Sequence, residues 1–184
     1  MMTTAHDGSR LIAAVKTPAA LRQALDSPVD TIFLLDTSIL RLPVHLKAIR
    51  AAGKHGFVHM DLAEGIGKDA AGLAYLCNLG ATGIVSTKSG LVRTARTLGL
   101  QTVQRFFIID TQSESTASSA IELVAPDFVE IMPGVVPKVI RYFADHFQIP
   151  VIAGGLVETA EEVQEALDAG AAFVSASQPA LWGG

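Results

Sequence analysis

The chain has 184 residues, 49% of them apolar and 17% charged, with a formal net charge of −4. This composition suits one folded domain with a sizeable core and excludes a disordered or collagen-like chain. No apolar run reaches the roughly 18 residues of a membrane span, the polar first ten residues hold no signal-peptide core, and a lone cysteine excludes an intramolecular disulfide framework, so the expectation is a cytoplasmic protein without a membrane partner.

Along the chain, short apolar runs alternate with longer helical patterns. Residues 1–9 read as a flexible N-terminal tail. Leu11–Val15 and Thr31–Leu35 are the first two candidate strands, rich in β-branched and apolar residues and too short for helices. Pro43–Ala52 opens on proline, which suits a first helical position, and Gly53 stops it. Phe57–Met60 is the third strand. The helical stretch Lys68–Leu79 ends at Gly80 and carries Cys77 in an apolar run, the setting of a buried, inert thiol. Strand Gly83–Ser86, helix Ser89–Leu98 and strand Thr102–Ile109 follow, then helix Thr116–Val124, strand Phe128–Met132 and helix Pro137–His146. After strand Val151–Ala153, Thr159 caps a helix with Glu161 and Glu162 in its first turn, where acids suit the helix dipole, and Gly170 ends it. Strand Phe173–Ser175 leads into a short helix-like segment, Pro179–Trp182.

Eight strands alternating with helices imply a parallel sheet with helices outside. The predicted fold is α/β, a short variant of the (β/α)8 TIM-type barrel, as a single domain over 1–184. A doubly wound open sheet is the alternative, and it too binds ligands beyond its strand C-termini.

Alternate residues of a barrel strand face the interior and the helices, and a charge buried against the helix layer is costly. On that rule His59 and Asp61 point inward from strand three, Ser86 and Lys88 from strand four, and Glu130 from strand six. Gln104 and Arg105 are adjacent on strand five and cannot share a face, and parity does not choose between them. Asp61, Glu64, Lys68, Lys88 and Glu130 thus gather at one mouth, as ligand contacts or as a mutually satisfied ionic plug; His59 reads as a satisfied interior histidine. Gly154 and Gly155 follow strand seven, and Ser175 and Ser177 follow strand eight ahead of a short helix. Barrels bind phosphate between these two loops and such a helix.

Charge is segregated along the chain. Thr37–Ile109 has nine Lys/Arg and three acids, whereas the chain from Asp110 onward has two Lys/Arg and eleven acids. Lys47, Arg50 and Lys54 recur at helical spacing, as do Arg93 and Arg96. They are the candidates for a basic wall that binds RNA, against the plain alternative of a solvated face. No His/Cys cluster has metal-ligand spacing, and neither a P-loop nor GxGxxG is present, so no metal site and no cofactor are expected.

The segments HMDLAEGIGKDAAGLAYL, GATGIVSTKSGLVRTARTLGLQTVQRFFIID, PDFVEIMPGVVPKVI and PVIAGGLVETAEEVQEALDAGAAFVSASQPALW resemble the glycerol uptake operon antiterminator regulatory proteins, over about Thr31 to Trp182. The resemblance implies a (β/α)8-type barrel that binds glycerol 3-phosphate and acts on the leader mRNA of glycerol-utilisation genes, as a regulator with no catalytic residues. The matching positions are Asp61, Glu64 and Lys68; Ser86, Thr87 and Lys88; Gln104 and Arg105; Glu130, Pro133 and Gly134; Gly154 and Gly155; Ser175 and Ser177. Arg105 or Lys88 would then supply positive charge to the ligand. The competing reading is a phosphosugar isomerase or lyase with the same phosphate grip, using Asp61, Lys88 and Glu130 as an acid–base set. A homo-oligomer is compatible with either.

Overall fold

A computed structural model describes residues 9–183. Eight strands alternate with seven helices in chain order: β1 (Leu11–Val15), α1 (Pro18–Asp26), β2 (Thr31–Leu34), α2 (Leu42–Ala51), β3 (His55–His59), α3 (Ala70–Leu79), β4 (Gly83–Ser86), α4 (Ser89–Thr97), β5 (Gln101–Phe107), α5 (Thr111–Val124), β6 (Phe128–Met132), α6 (Pro137–His146), β7 (Val151–Gly154), α7 (Ala160–Asp168), β8 (Phe173–Ala176), then a single 3-10 turn, Pro179–Leu181. Each strand pairs in parallel with the next, and β8 pairs with β1, so the sheet closes into a barrel. No described helix is long and apolar enough to cross a membrane.

The elements follow local chemistry. Thr17 accepts a hydrogen bond from the Ala20 N–H and Pro18 sits at the first position of α1; this helix was absent from the sequence reading. Helix α5 starts at Thr111, five residues before the expected Thr116, because Asp110 and Ser113 form a reciprocal capping box. Thr159 and Glu162 do the same for α7. Strand β3 begins two residues before the expected Phe57, and β5 ends at Phe107, short of Ile109. Cys77 is half-buried, not buried. Of the expected tail, residues 1–8 lie outside the described residues; the Ser9 N–H donates to the Asp30 carboxylate at 3.0 Å.

The barrel interior is layered. One residue from each strand (Ile12, Phe33, Phe57, Val85, Val103, Phe128, Ile152 and Phe173) forms a sealed apolar cluster. Burying such side chains is worth roughly 1.5–3 kcal/mol each, and the layer shuts the barrel to water. Two residues further on, the same faces carry Ala14, Leu35, His59, Arg105, Glu130, Gly154 and Ser175, the floor of the C-terminal mouth. Outside the barrel, Ile84 packs with Leu91 and Ala95 of α4. Ser86 shares that parity, so the expected inward projection of Ser86 is corrected: the interior residue of β4 is Val85. Lys88 lies beyond the strand as the exposed N-cap of α4.

Candidate functional site

Strand five resolves the ambiguity that parity left. Gln104 turns outward, donating from Nε2 to Ser89 Oγ of α4 at 2.7 Å, and Arg105 turns in. Arg105 pairs in register with Glu130 of β6, so both rise from one level of the mouth. Arg105 Nε donates to Glu130 Oε2 at 2.7 Å, and Ser175 Oγ of β8 donates to Glu130 Oε1 at 2.7 Å. Glu130 is wholly buried. Both of its oxygens are satisfied, as a buried carboxylate requires. The terminal Nη nitrogens of Arg105 have no acceptor among the described residues. Gly154 makes the triad possible, since a Cβ there would collide with Glu130 Oε1 and Ser175 Oγ.

Above this floor is a cavity of about 560 Å³. Its polar wall is Lys16, Arg105, Glu130, Glu158, Ser175, Ser177 and the backbone of Gly155. Gly155 turns the chain after β7 at φ +77°, and Leu156 follows at φ +62°. The N–H groups of Leu156, Val157 and Ser177, all residues of the cavity wall, make no hydrogen bond among the described residues. Unpaired donors on two adjacent loops are the raw material of an anion site. Just ahead of α7, the N–H groups of Glu158 and Thr159 are already taken by the Glu162 carboxylate, and that of Glu162 by Thr159 Oγ1. The segment after β8 is only a three-residue 3-10 turn that begins with proline, which has no N–H, so it is no helix dipole of the kind expected from the sequence.

Of the ten predicted ligand residues, Arg105, Glu130, Gly155, Ser175 and Ser177 line this cavity and Gly154 supports it, whereas Asp61, Glu64, Lys68 and Lys88 do not line it. Those four occupy the β3–β4 side of the mouth, where hydrogen bonds hold the side chains of Asp61 and Lys68 while Glu64 and Lys88 are exposed. Asp61 accepts from Ser86 Oγ at 2.8 Å, the Thr87 N–H at 2.7 Å and Thr87 Oγ1 at 2.9 Å. Burial pushes the Asp61 carboxyl up, but these donors outweigh it and hold the group below the usual carboxylate range. Lys68 Nζ donates to the Ala63 carbonyl; burial lowers its ammonium pKa, with Asp61 opposing and Lys88 adding to the effect. Glu64 is exposed, and its backbone bonds the α2 and α3 approach loops together, taking the Ile39 N–H on its carbonyl at 2.9 Å and giving its own N–H to Thr37 at 3.0 Å. Of the proposed acid–base set, Glu130 lines this cavity, and Asp61 and Lys88 do not.

His59 is 4% exposed and its Nδ1 has no hydrogen-bond partner among the described residues, which departs from the satisfied interior histidine expected from the sequence. Burial, then the Arg105 charge, lowers its pKa against the opposing pull of Asp61 and Glu130. Sequence reasoning missed Lys16, Phe107, Leu156 and Glu158. Lys16 is the first residue past β1, and strand ends are where barrels place function, so that rule could have found it.

The candidate basic wall is broken up. Arg50 Nη1 donates to the Leu79 carbonyl at the end of α3, Arg96 Nη1 to the Ala125 carbonyl at the end of α5, and Lys54 Nζ to the Ser27 and Val29 carbonyls after α1. Cations suit helix C-termini, so these three serve as inter-helix caps. Lys47 and Arg93 stay exposed with no hydrogen bond or ion pair among the described residues. Helix α3, between α2 and α4, carries no basic residue.

The model of the glycerol-3-phosphate responsive antiterminators matches residues 11–182. The chain belongs to that family. Antiterminator relatives with known structures superimpose closely. The glycerol uptake operon antiterminator regulatory protein of Listeria monocytogenes gives a TM-score of 0.90 at 30% identity, covering 97% of this chain and 96% of that one. A glycerol uptake operon antiterminator-related protein of Thermotoga maritima gives 0.84 at 35% identity, covering 94% and 96%. The protein YgcP of Escherichia coli K12 is 35% identical over 173 residues, 94% of this chain and 91% of its own. The deoxyribose phosphate aldolase of Aeropyrum pernix shares the barrel alone, at 15% identity and a TM-score of 0.69, over 94% of this chain and 87% of its own.

Proposed function

We propose that this antiterminator binds glycerol 3-phosphate in the mouth cavity and, when loaded, engages the leader mRNA of glycerol-utilisation genes. The phosphate sits against the loops at Gly155–Val157 and Ser177, with the Lys16 ammonium nearby; the glycerol hydroxyls meet Glu130 and the free Nη groups of Arg105. The observation that carries this reading is the juxtaposition of unpaired N–H groups on Leu156, Val157 and Ser177 with a buried arginine whose outer nitrogens lack an acceptor. Asp61, Glu64, Lys68 and Lys88 act at one remove, by fixing the opposite side of the mouth. Loading changes RNA affinity only if the ligand binds one conformation better than another.

Calorimetric titration with glycerol 3-phosphate tests the first step: saturable one-site binding in the wild type, lost in Arg105→Met, is expected. Absence of binding by the wild type at millimolar ligand overturns it. A gel shift with leader RNA, with and without glycerol 3-phosphate, tests the second. Lys47 and Arg93 are the free cations for phosphate contacts, and Lys47→Glu with Arg93→Glu should weaken RNA binding and flatten its salt dependence. Unchanged RNA affinity would remove these two residues from the interface.

A further inference from the structure

The cavity is larger and more apolar than glycerol 3-phosphate needs. That ligand has ten heavy atoms. Even at about 30 Å³ each, the share of a liquid water molecule, it takes at most about 300 Å³ of the 560 Å³ present. The surplus lies toward the rim. The inner lining, Arg105, Glu130 and Ser175, is buried, whereas Phe107 and Leu156 on the same cavity wall are 57% and 69% exposed. Leu156 holds a left-handed backbone, φ +62°, that a bulky apolar residue rarely adopts. The loop thus carries a leucine at the rim against its own preference, beside a phenylalanine that water solvates poorly.

Charge points the same way. Lys16 and Arg105 are matched by Glu130 and Glu158, so the lining side chains are formally neutral. A phosphomonoester brings nearly two negative charges at neutral pH, and a phosphodiester brings one. A lining with no net charge desolvates a monoanion at lower cost.

We infer that the site takes glycerophosphodiesters: the glycerol points inward to Glu130 and Arg105, the phosphate rests at the β7 and β8 loops, and a small apolar group on the second ester lies over Phe107 and Leu156. This rests on the ligand site proposed above and extends the class of ligand it accepts. The test is calorimetric titration of the full chain with glycerol 3-phosphate and with its ethyl and butyl diesters. The butyl diester should bind at least about tenfold more tightly than the monoester, as burial of its methylenes requires. Phe107→Thr with Leu156→Asn should lower the diester-to-monoester affinity ratio toward one; threonine suits a strand end and asparagine tolerates the left-handed backbone, so the fold is retained. Monoester binding with weaker or absent diester binding overturns this inference and leaves the ligand site standing. Binding of neither overturns both.

Discussion

Replacing Glu130 by alanine removes the one carboxylate that neutralises Arg105 in the mouth. Glu130 is fully buried and the Arg105 side chain is 8% exposed, so the deletion leaves a buried guanidinium without its ion-pair partner and deprives Ser175 of its acceptor. Breaking a buried pair in this way costs about 3–5 kcal/mol. The adjoining cavity admits water to the outer nitrogens of Arg105, which puts the expected loss near the lower end. At about 2–4 °C per kcal/mol for a chain of this size, a 3 kcal/mol loss lowers Tm by roughly 6–12 °C. Urea and thermal denaturation measure it, and the double variant Arg105→Met with Glu130→Met gives the control. Both charges are then gone and the volumes are kept, so stability should return to within about 1–2 kcal/mol of the wild type, while glycerol 3-phosphate binding stays lost. The reasoning is refuted if Glu130→Ala unfolds within about 1 kcal/mol of the wild type, or if the double variant is as unstable as the single one.

Histidine titration gives a pH window. His45 and His59 have pKa values lowered first by burial, then by Arg41 and Arg105 respectively, and burial lowers that of His55. Below the unfolded value of about 6.5 the unfolded chain takes up more protons, so stability is flat above pH 6.5 and falls as pH drops through the folded values; denaturation midpoints between pH 7.5 and 5 should show this, and His59→Gln should reduce the slope. Gly154→Ala places a methyl on Glu130 Oε1 and Ser175 Oγ, so it should cost about 1–3 kcal/mol by overpacking and abolish ligand binding in the same titration; an alanine variant that binds normally refutes the close approach. In hydrogen exchange, the Leu156 and Val157 amides should be unprotected without ligand and slow markedly with glycerol 3-phosphate, whereas the Thr87 amide, already given to Asp61, should not change.

The barrel could be read from the sequence because its signals are local and repeated. A run of β-branched residues, a glycine stop and a capped helix recur along the chain, and each is satisfied within about twenty residues. Helix α1 went unread, although Thr17 and Pro18 mark its start. Glu130 and the two phosphate-type loops were found because parity and ordinal position at the strand ends are topological properties, whereas parity left Arg105 and Gln104 open and only the family resemblance pointed to Arg105. Side-chain partners were not accessible in the same way. Arg50, Lys54 and Arg96 form periodic basic patterns, yet their bonds run to carbonyls 25 to 29 residues away. Ser86 looked interior because it shares parity with Lys88, whose charge would be costly against the helices, but Lys88 lies exposed beyond the strand end and the Ser86 hydroxyl is satisfied by Asp61.

The two sides of the mouth differ in a way that bears on signalling. On the β3–β4 side, the Asp61 carboxylate is already engaged: three donors meet it, and the Glu64 backbone joins two approach loops. On the β7–β8 side, three N–H groups are unpaired, two consecutive residues hold positive φ, and the loop is tied to its neighbour through the Gly134 N–H to Gly155 carbonyl bond at 3.0 Å. A ligand shifts the protein between states only by its difference in affinity for them, and bonds to donors that lack partners are gained without breaking others. Hydrogen bonds made by an anion to Leu156, Val157 and Ser177 are therefore new, whereas a ligand hydroxyl bonded to Asp61 must compete with the three donors already there. On the proposed reading, a conformational response to the ligand would start from the β7–α7 loop and pass through the Gly134–Gly155 bond to the approach to α6, and it must then cross the barrel to reach Lys47 on α2 and Arg93 on α4.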